Sequence, residues 1–598
     1  MFNIYVNFFY VIFCVFLPLG RFPPLMQSLQ NRWQIHTGYV KIEEIPSDEE
    51  PGGNRMKTIY FNGAVYTGKL PLAQAFAEEN GLFVFSGSNA EAKALAKDGD
   101  CLVDLKGQFV CSGFHDSHMH LLNFGNALHA ARLSEHTKSL QDFLECFLSF
   151  KKEHPPKGGA WIIGRGWNQD YFTDVDRMPN RHDLDQVSTD TPVCAIRACG
   201  HCLVVNTKAL EAAGIDGQTP QPDGGKIGME NGEPDGRFFD NAMSLIYQAI
   251  PAPGKEQLKD MLITAIRELN SYGITSCQTD DYQVFKNVPW SLVNEAYKEL
   301  EAEGALTVRV YEQSNFTSLE HLKEFVESGC NTGVGTDRFR IGPLKMMGDG
   351  ALGSRTAFLS QPYADEPSTC GLPVFSQETL DEMIGYANSQ QMQVAVHAIG
   401  DACLDRVLNA YEKALNEHPR TDHRHGIVHC QITRPDQLER IRKLNLHVYA
   451  QSIFLDYDIR IVEARAGAKL ASTSYHWKTL MKNGVSVSNG SDCPVELPDV
   501  MAGIQCAVTR KNLDGDLGPY LPEEAFTVQE ALDSYTKASA YASFDEEKKG
   551  QILPGMLADF VILGKNPFEV SEKALKDIPV LAAYLGGKQV YQNAERSL

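Results

Sequence analysis

The 598-residue sequence predicts an α/β protein built on an eight-stranded (β/α)8 barrel, the TIM barrel. Two patterns predict it. Between residues 113 and 545, short apolar segments of strand length alternate with helical ones, as in a parallel sheet with helical crossovers. Both ends of the chain instead read as short strands joined by tight turns. A small composite β-sandwich, formed by residues 56–112 plus 546–598, is therefore expected beside the barrel. A chain this long buries a large core and implies more than one domain.

The N-terminus needs its own account. Residues 2–20 are apolar and uncharged, as an anchor or a signal-peptide core would be. No Lys or Arg precedes them before Arg21, and no small-x-small cleavage site is evident. Residues 21–55 read as linker, and Met56-Lys57-Thr58 opens an ordinary strand. Codons for Gly52-Gly53 can spell a purine-rich ribosome-binding site. The expectation is that translation starts at Met56, with a genuine anchor or targeting segment as the alternative. Peptides from residues 30–55 in the natively expressed protein would refute that start.

From Met56, Thr58–Phe61, Asn62-Gly63 and Ala64–Thr67 predict a hairpin, because Asn-Gly between alternating apolar residues suits a two-residue turn. Leu82–Gly87 and Cys101–Leu105 continue the pattern, and Ala558–Leu563 and Val580–Tyr591 repeat it at the C-terminus. The predicted barrel strands are Phe114–His120, Gly273–Thr279, Leu306–Glu312, Phe339–Met346, Gln393–His397, Gly426–His429, Leu446–Gln451 and Val485–Asp492. Gln257–Tyr272 and Gln377–Gln390 are predicted helices between them. The gap after the first strand is too long for one crossover, so an inserted subdomain at about 130–255 is expected to cover the barrel mouth. It holds Trp161–Trp167, Pro192–Gly214 and the turn-rich Pro222–Gly225 and Asn231–Gly236.

Composition narrows the function classes. The chain is 43% hydrophobic and 22% charged, which is ordinary for a globular protein. A net charge of −21 argues against nucleic acid or an anionic membrane surface as the main partner. The 14 cysteines are spread along the chain, which reads as reduced thiols and a cytoplasmic setting.

In such a barrel the active site lies at the C-terminal ends of the strands, so polar residues there are the candidates. Gly113-Phe114-His115-Asp116-Ser117-His118-Met119-His120 ends the first strand, and residues two apart on a strand share a side. His118 and His120 can thus aim two imidazoles, the commonest metal-ligating side chains, at one point. Strand four ends near Lys345, strand five at His397, strand six at His429 and strand eight at Asp492. Singly, each has a bland reading: a hydrogen-bonded core histidine, a lysine bridged to a carboxylate, an aspartate in a turn. Together, four His, one Lys and one Asp at the same strand ends point to a metal site. His201, Arg355 and Trp167 are secondary candidates for substrate binding, against structural, ion-pair and core roles respectively. His423 and His425, before strand six, are expected at the surface or behind the ligands. Asp116 is expected to serve a loop.

These residues resemble the metal signature of the amidohydrolase superfamily, specifically its amidohydrolase 3 (YtcJ-like) branch. The branch is marked by Arg165-Gly-Trp-Asn-Gln169, by Cys199–Leu210, by Asp349–Ala357 and by His397–Asp401; Lys549–Leu563 is shared more widely. The resemblance runs from about Met56 to the C-terminus. It implies one or two divalent ions, with zinc expected from the imidazole ligands. His118, His120 and Asp492 would hold a first ion and His397 and His429 a second, bridged by Lys345 carboxylated by carbon dioxide. If Lys345 is not carboxylated, a single ion on His118, His120, His397 and Asp492 is the alternative. The implied reaction is hydrolysis of a non-peptide carbon–nitrogen bond in a small amide-like substrate, with Asp492 as proton acceptor and His429 as a ligand or carbonyl-orienting group. Ester or lactone hydrolysis, isomerisation at the same site, and a non-catalytic regulatory role are the alternatives. A homodimer is the prior for assembly.

Overall fold

The computed structural model describes residues 57–156, 159–198 and 201–594. The expected start or anchor in residues 1–55 lies outside the described residues. Among those described, no helix is long and apolar enough to cross a membrane.

Eight parallel strands run in sequence order around the barrel: β1 (Phe114–Met119), β2 (Ile274–Thr279), β3 (Arg309–Asn315), β4 (Phe339–Met347), β5 (Val394–Ala398), β6 (Gly426–His429), β7 (His447–Ala450) and β8 (Val487–Asn489). Each is buried along most or all of its length, as strands covered on both faces must be. Helices such as Lys255–Ser271 and Gln377–Ser389 make the crossovers, the second capped by Ser376, whose side chain accepts the Thr379 amide. The largest departure from expectation is at β3, which runs three residues further, through Gln313, Ser314 and Asn315. Polar residues at a strand end read as loop; here all three are buried, Gln313 against His118 and Asn315 against Asp280.

The ring closes between β8 and β1. Asp492 N–H donates to the His118 carbonyl and His120 N–H to the Cys493 carbonyl, both at 2.8 Å, which continues a parallel ladder beyond β8. Asp116 ties the same seam: its carboxylate accepts from the Ser491 hydroxyl at 2.5 Å, the Ser491 amide at 3.1 Å and the His118 amide at 3.1 Å. Burial pushes its pKa up to about 7. Gly490 is required here by close approach. A Cβ on it would stand 2.6 Å from both the His118 amide nitrogen and Asp116 Oδ1. Gly490→Ala is therefore expected to cost about 1–3 kcal/mol in urea unfolding and to weaken metal uptake, because relief of the clash displaces His118.

The opposite end of the barrel is sealed by residues 535–549. Gln278 Nε2 donates to the Ser539 carbonyl, Gln393 Nε2 to the Ala542 carbonyl and Lys549 Nζ to Ser276 Oγ, at 3.0–3.1 Å. His423 and His425 lie at the entry to β6 and are buried, which corrects the surface expectation. His423 Nδ1 accepts the His425 amide, while Val394 N–H donates to His425 Nδ1. Burial drives the pKa of His423 down to about 4 and that of His447 to about 3. Once unfolded, these rings titrate near 6.5. Below that pH the unfolded chain binds protons the folded chain refuses, so stability should fall as pH drops from about 6.5 toward about 4. Urea midpoints across that range test this, and His447→Asn should flatten the slope.

The sandwich draws on both ends of the chain. One sheet has the order Leu82–Gly87, Ala75–Glu79, Thr58–Phe61, Cys101–Asp104; the other runs Ala64–Val65, Phe109–Ser112, Phe560–Leu563, Val580–Leu585, Lys588–Gln592. Their shared core stacks Tyr60 on Phe76 (4.6 Å) and Phe560 on Tyr584 (4.3 Å). The Asn62-Gly63 turn is real, with Asn62 at φ 57°, but it makes no hairpin. It passes the chain from one sheet to the other, because Ala64-Val65 pairs with Phe109-Val110 instead of folding back on Thr58–Phe61.

Residues 126–254 form a separate compact unit. Its six-stranded sheet has the order Gly225–Glu230, Glu233–Asp240, Cys202–Val205, Val193–Arg197, Ile162–Trp167, Ala131–Arg132. Here Asn231-Gly232 does turn a hairpin, both residues at positive φ. The described cysteines are free thiols. Cys199 and Cys202 have Cys-x-x-Cys spacing; Cys199 lies outside the described residues and Cys202 is buried.

Candidate metal centre

The site is assembled at the C-terminal ends of the strands. His118 Nε2 and His120 Nε2 stand 3.4 and 3.0 Å from the same oxygen, Asp492 Oδ1. One ligand atom from each of the three lies within 4.8 Å of the others. The remaining histidines adjoin them: the His118 and His429 ring centres are 5.7 Å apart, and those of His397 and His429 are 4.4 Å apart. Lys345 is fully buried at the end of β4, its Nζ 3.4 Å from Asp280 Oδ2.

Each of three imidazoles is oriented through Nδ1. That atom lies 2.7 Å from Gln313 Oε1 in His118, 3.1 Å from the Asp280 carbonyl in His120 and 2.7 Å from Gln451 Oε1 in His429. These oxygens are acceptors, so the proton belongs on Nδ1 and the Nε2 lone pair points into the site. Metal-binding histidines are commonly held in this way. His397 is gripped at its other edge: Nε2 lies 3.2 Å from the Gly350 carbonyl and 3.4 Å from Asp349 Oδ1.

Electrostatics agree with the geometry. Burial and the neighbouring Lys345 drive the pKa of His118 down to about 4, and burial with His397 takes His429 well below its usual value. Both are neutral, as a ligand must be. Burial would raise Asp492, but its close contacts with the His118 and His120 rings outweigh it and hold the carboxylate well below its usual range. His120 moves upward: burial opposes its charge, yet the Asp492 carboxylate prevails. A divalent cation satisfies the same carboxylate and both Nε2 lone pairs, so the donor set fits a metal ion.

Backbone strain concentrates here. His429, Cys430 and Asp492 adopt positive φ values of 74°, 50° and 57°, in the left-handed region that non-glycine residues avoid. Such conformations cost about 1–3 kcal/mol each and cluster at functional sites. Trp477 Nε1 donates to the His429 carbonyl at 3.1 Å and steadies that turn.

Several supporting residues carry no recognisable sequence motif. Thr279-Asp280-Asp281 ends β2. Thr279 Oγ1 accepts the Leu121 amide, and Asp281 accepts the Leu122 amide at 2.9 Å, which anchors the chain just beyond His120. Asn315 Nδ2 donates to Asp280 at 2.9 Å. The available signal was polar residues at the ends of β2, β3 and β7, where a barrel site is built.

The secondary candidates each have partners within their own unit. Trp167 is fully buried in the core of the 126–254 unit, edge-on to Phe143 at 6.2 Å, which corrects its substrate-binding expectation: no face of the ring is available. His201 pairs with Asp240 at 3.1 Å. Arg355 makes a two-bond contact with Asp365, at 3.1 and 2.9 Å.

Comparison with known proteins follows the same line. Residues 102–591 match the model described as the amidohydrolase family. The chain is 34% identical over 545 residues to the putative amidohydrolase YtcJ of Bacillus subtilis (strain 168), covering 90% of this chain and 100% of that one. It is 25% identical over 530 residues to an N-substituted formamide deformylase of Arthrobacter pascens, covering 87% and 95%. The crystal structure of an uncharacterized metal-dependent hydrolase from Pyrococcus furiosus aligns with a TM-score of 0.71 at 29% identity, covering 86% of this chain and 100% of that one. With the barrel, its cation-ready end and a match through most of its length all in agreement, this chain belongs to the amidohydrolase family of metal-dependent hydrolases.

Proposed function

We propose that the protein hydrolyses the carbon–nitrogen bond of a small N-substituted amide or formamide. The observation that carries this reading is the convergence of His118, His120 and Asp492 within one ion's reach. In this reading those three would hold a first divalent ion, most suitably zinc. His397 and His429 would hold a second, and Lys345, if carboxylated by carbon dioxide, would add its carboxylate to the ligand set. Bound ions would polarise the substrate carbonyl and lower the pKa of water from 15.7 to about 7.

The chain's own groups supply the rest. Asp492, ionised and buried at the attack position, accepts the proton of the nucleophilic water and returns it to the departing nitrogen. His429, fixed by Gln451 and Trp477, sits where it can ligate or orient the carbonyl. Arg355 and His201 are engaged by Asp365 and Asp240, and would meet a substrate by exchanging those partners. The choice of an amide-type bond is supported by the Arthrobacter pascens relative, whose name records deformylation of N-substituted formamides.

The test is a substrate panel. Metal-reconstituted enzyme is assayed on N-substituted formamides, amides, esters and lactones, beside chelator-treated protein. Turnover of the nitrogen compounds, lost on chelation and restored by zinc, manganese or cobalt, is expected. Turnover of esters or lactones alone would move the substrate class.

A further inference from the structure

Asp349 begins one of the segments that mark the branch, and the chemistry above leaves it unused. It lies just beyond β4 and is fully buried. Its carboxylate accepts three backbone amides, from Ile399 at 3.0 Å and from Gly400 and Phe358 at 2.8 Å. Oδ1 also lies 3.4 Å from His397 Nε2. One side chain thus fastens the loop after β4 to the end of β5 and touches the imidazole at that end. The loop lies directly on the backbone, since a Cβ on Gly400 would stand 2.1 Å from the Phe358 carbonyl oxygen. The Gly350 carbonyl, one residue on, faces the same ring nitrogen at 3.2 Å.

We infer that Asp349 is a positioning residue for His397, which fixes the orientation and tautomer of that ring through its Nε2 edge. Two oxygens at Nε2 require the proton there. The inference rests on His397 being a metal ligand, as in the reading above. It adds that this histidine is set from the β4 loop, whereas His118, His120 and His429 are set through Nδ1 by groups on other strand ends.

Asp401 provides the control. It is equally buried and fastens the same loop, through the Ser360 amide at 2.8 Å, the Ser360 hydroxyl at 2.5 Å and Arg434 at 2.8 Å. Its carboxylate is engaged with Ser360 and Arg434, away from the imidazole. Full-length wild type, Asp349→Asn and Asp401→Asn are stripped with chelator and titrated with cobalt(II). The readouts are ion stoichiometry, affinity, the visible cobalt spectrum and the melting temperature of the metal-free protein. Asp349→Asn should weaken at least one ion by about 10–100-fold and alter the cobalt spectrum. Asp401→Asn should melt earlier yet bind cobalt as wild type does. Equal weakening in both variants would reduce Asp349 to a loop anchor and overturn the inference, as would wild-type binding in Asp349→Asn. If Asp349→Asn does not fold, Asp349→Glu keeps a charged acceptor for the amides; an unchanged cobalt spectrum there would also overturn the inference. Wild type that binds no cobalt would instead defeat the metal-site reading itself.

Discussion

Asp492→Asn should retain a bound metal ion and lose at least about 100-fold in kcat. The substitution keeps the size and planarity of the side chain, and an amide oxygen can still lie against His118 and His120, which now stand 3.4 and 3.0 Å from Oδ1. What it removes is the negative charge and the capacity to take a proton. In the proposed reading that capacity belongs to Asp492, a carboxylate held ionised beside His118 and His120. Metal content by mass spectrometry separates the two ways to lose activity. An Asn variant that keeps its ion and its full rate would remove Asp492 from proton transfer. One that loses both would show a ligand whose chemistry was never tested. His118→Asn, by contrast, should fail at the metal-binding stage, because it deletes an Nε2 donor whose tautomer Gln313 had set.

The contrast between these side chains shows what could be read before any coordinates. His118, His120, His397, His429 and Asp492 were legible because their residue types are rare at the ends of apolar strands, and a barrel gathers strand ends at one mouth. Gln313, Asn315, Gln451 and Asp280 were not, although the site depends on them as closely. Glutamine and asparagine at a strand end suggest a turn, and only the acceptor presented to a particular imidazole, or the donor presented to a carboxylate, gives each its meaning. The same ambiguity truncated β3, whose last three residues are polar and buried. Asn62-Gly63 and Asn231-Gly232 carry the same dipeptide with a positive φ at the asparagine, yet only in the second is the glycine also at positive φ, and only the second closes a hairpin. The dipeptide permits the turn; the partner strand, distant in sequence, decides whether it is used. For His423 and His425 the surface reading granted solvent that the fold withholds, because polar types on a loop are normally outside.

Asp559→Ala should destabilise the protein by about 3–5 kcal/mol. Asp559 immediately precedes the sandwich strand Phe560–Leu563, and Arg309 opens β3 of the barrel. The guanidinium grips the carboxylate twice, Nε to Oδ2 at 2.6 Å and Nη2 to Oδ1 at 2.9 Å, with both side chains almost wholly buried. The same residue accepts the Gly586 amide through Oδ1 and the Gly113 amide through its carbonyl. Gly113 precedes β1, so this one position joins the last sandwich strands to the start of the strand that carries His118 and His120. Removing the carboxylate leaves Arg309 charged and buried, with a hydrogen bond to the Asp337 carbonyl at 3.0 Å and only the more distant carboxylates of Asp337 and Asp545 to answer its charge. The penalty therefore comes from the cation left behind more than from the bond lost. An Arg309→Met, Asp559→Leu double variant should recover most of the stability, since neither member of the pair is left buried without the other. Urea unfolding of wild type, the single variant and the double variant decides it. A single variant within about 1 kcal/mol of wild type would show that water reaches the pair and that the joint between sandwich and barrel is carried by its apolar contacts alone.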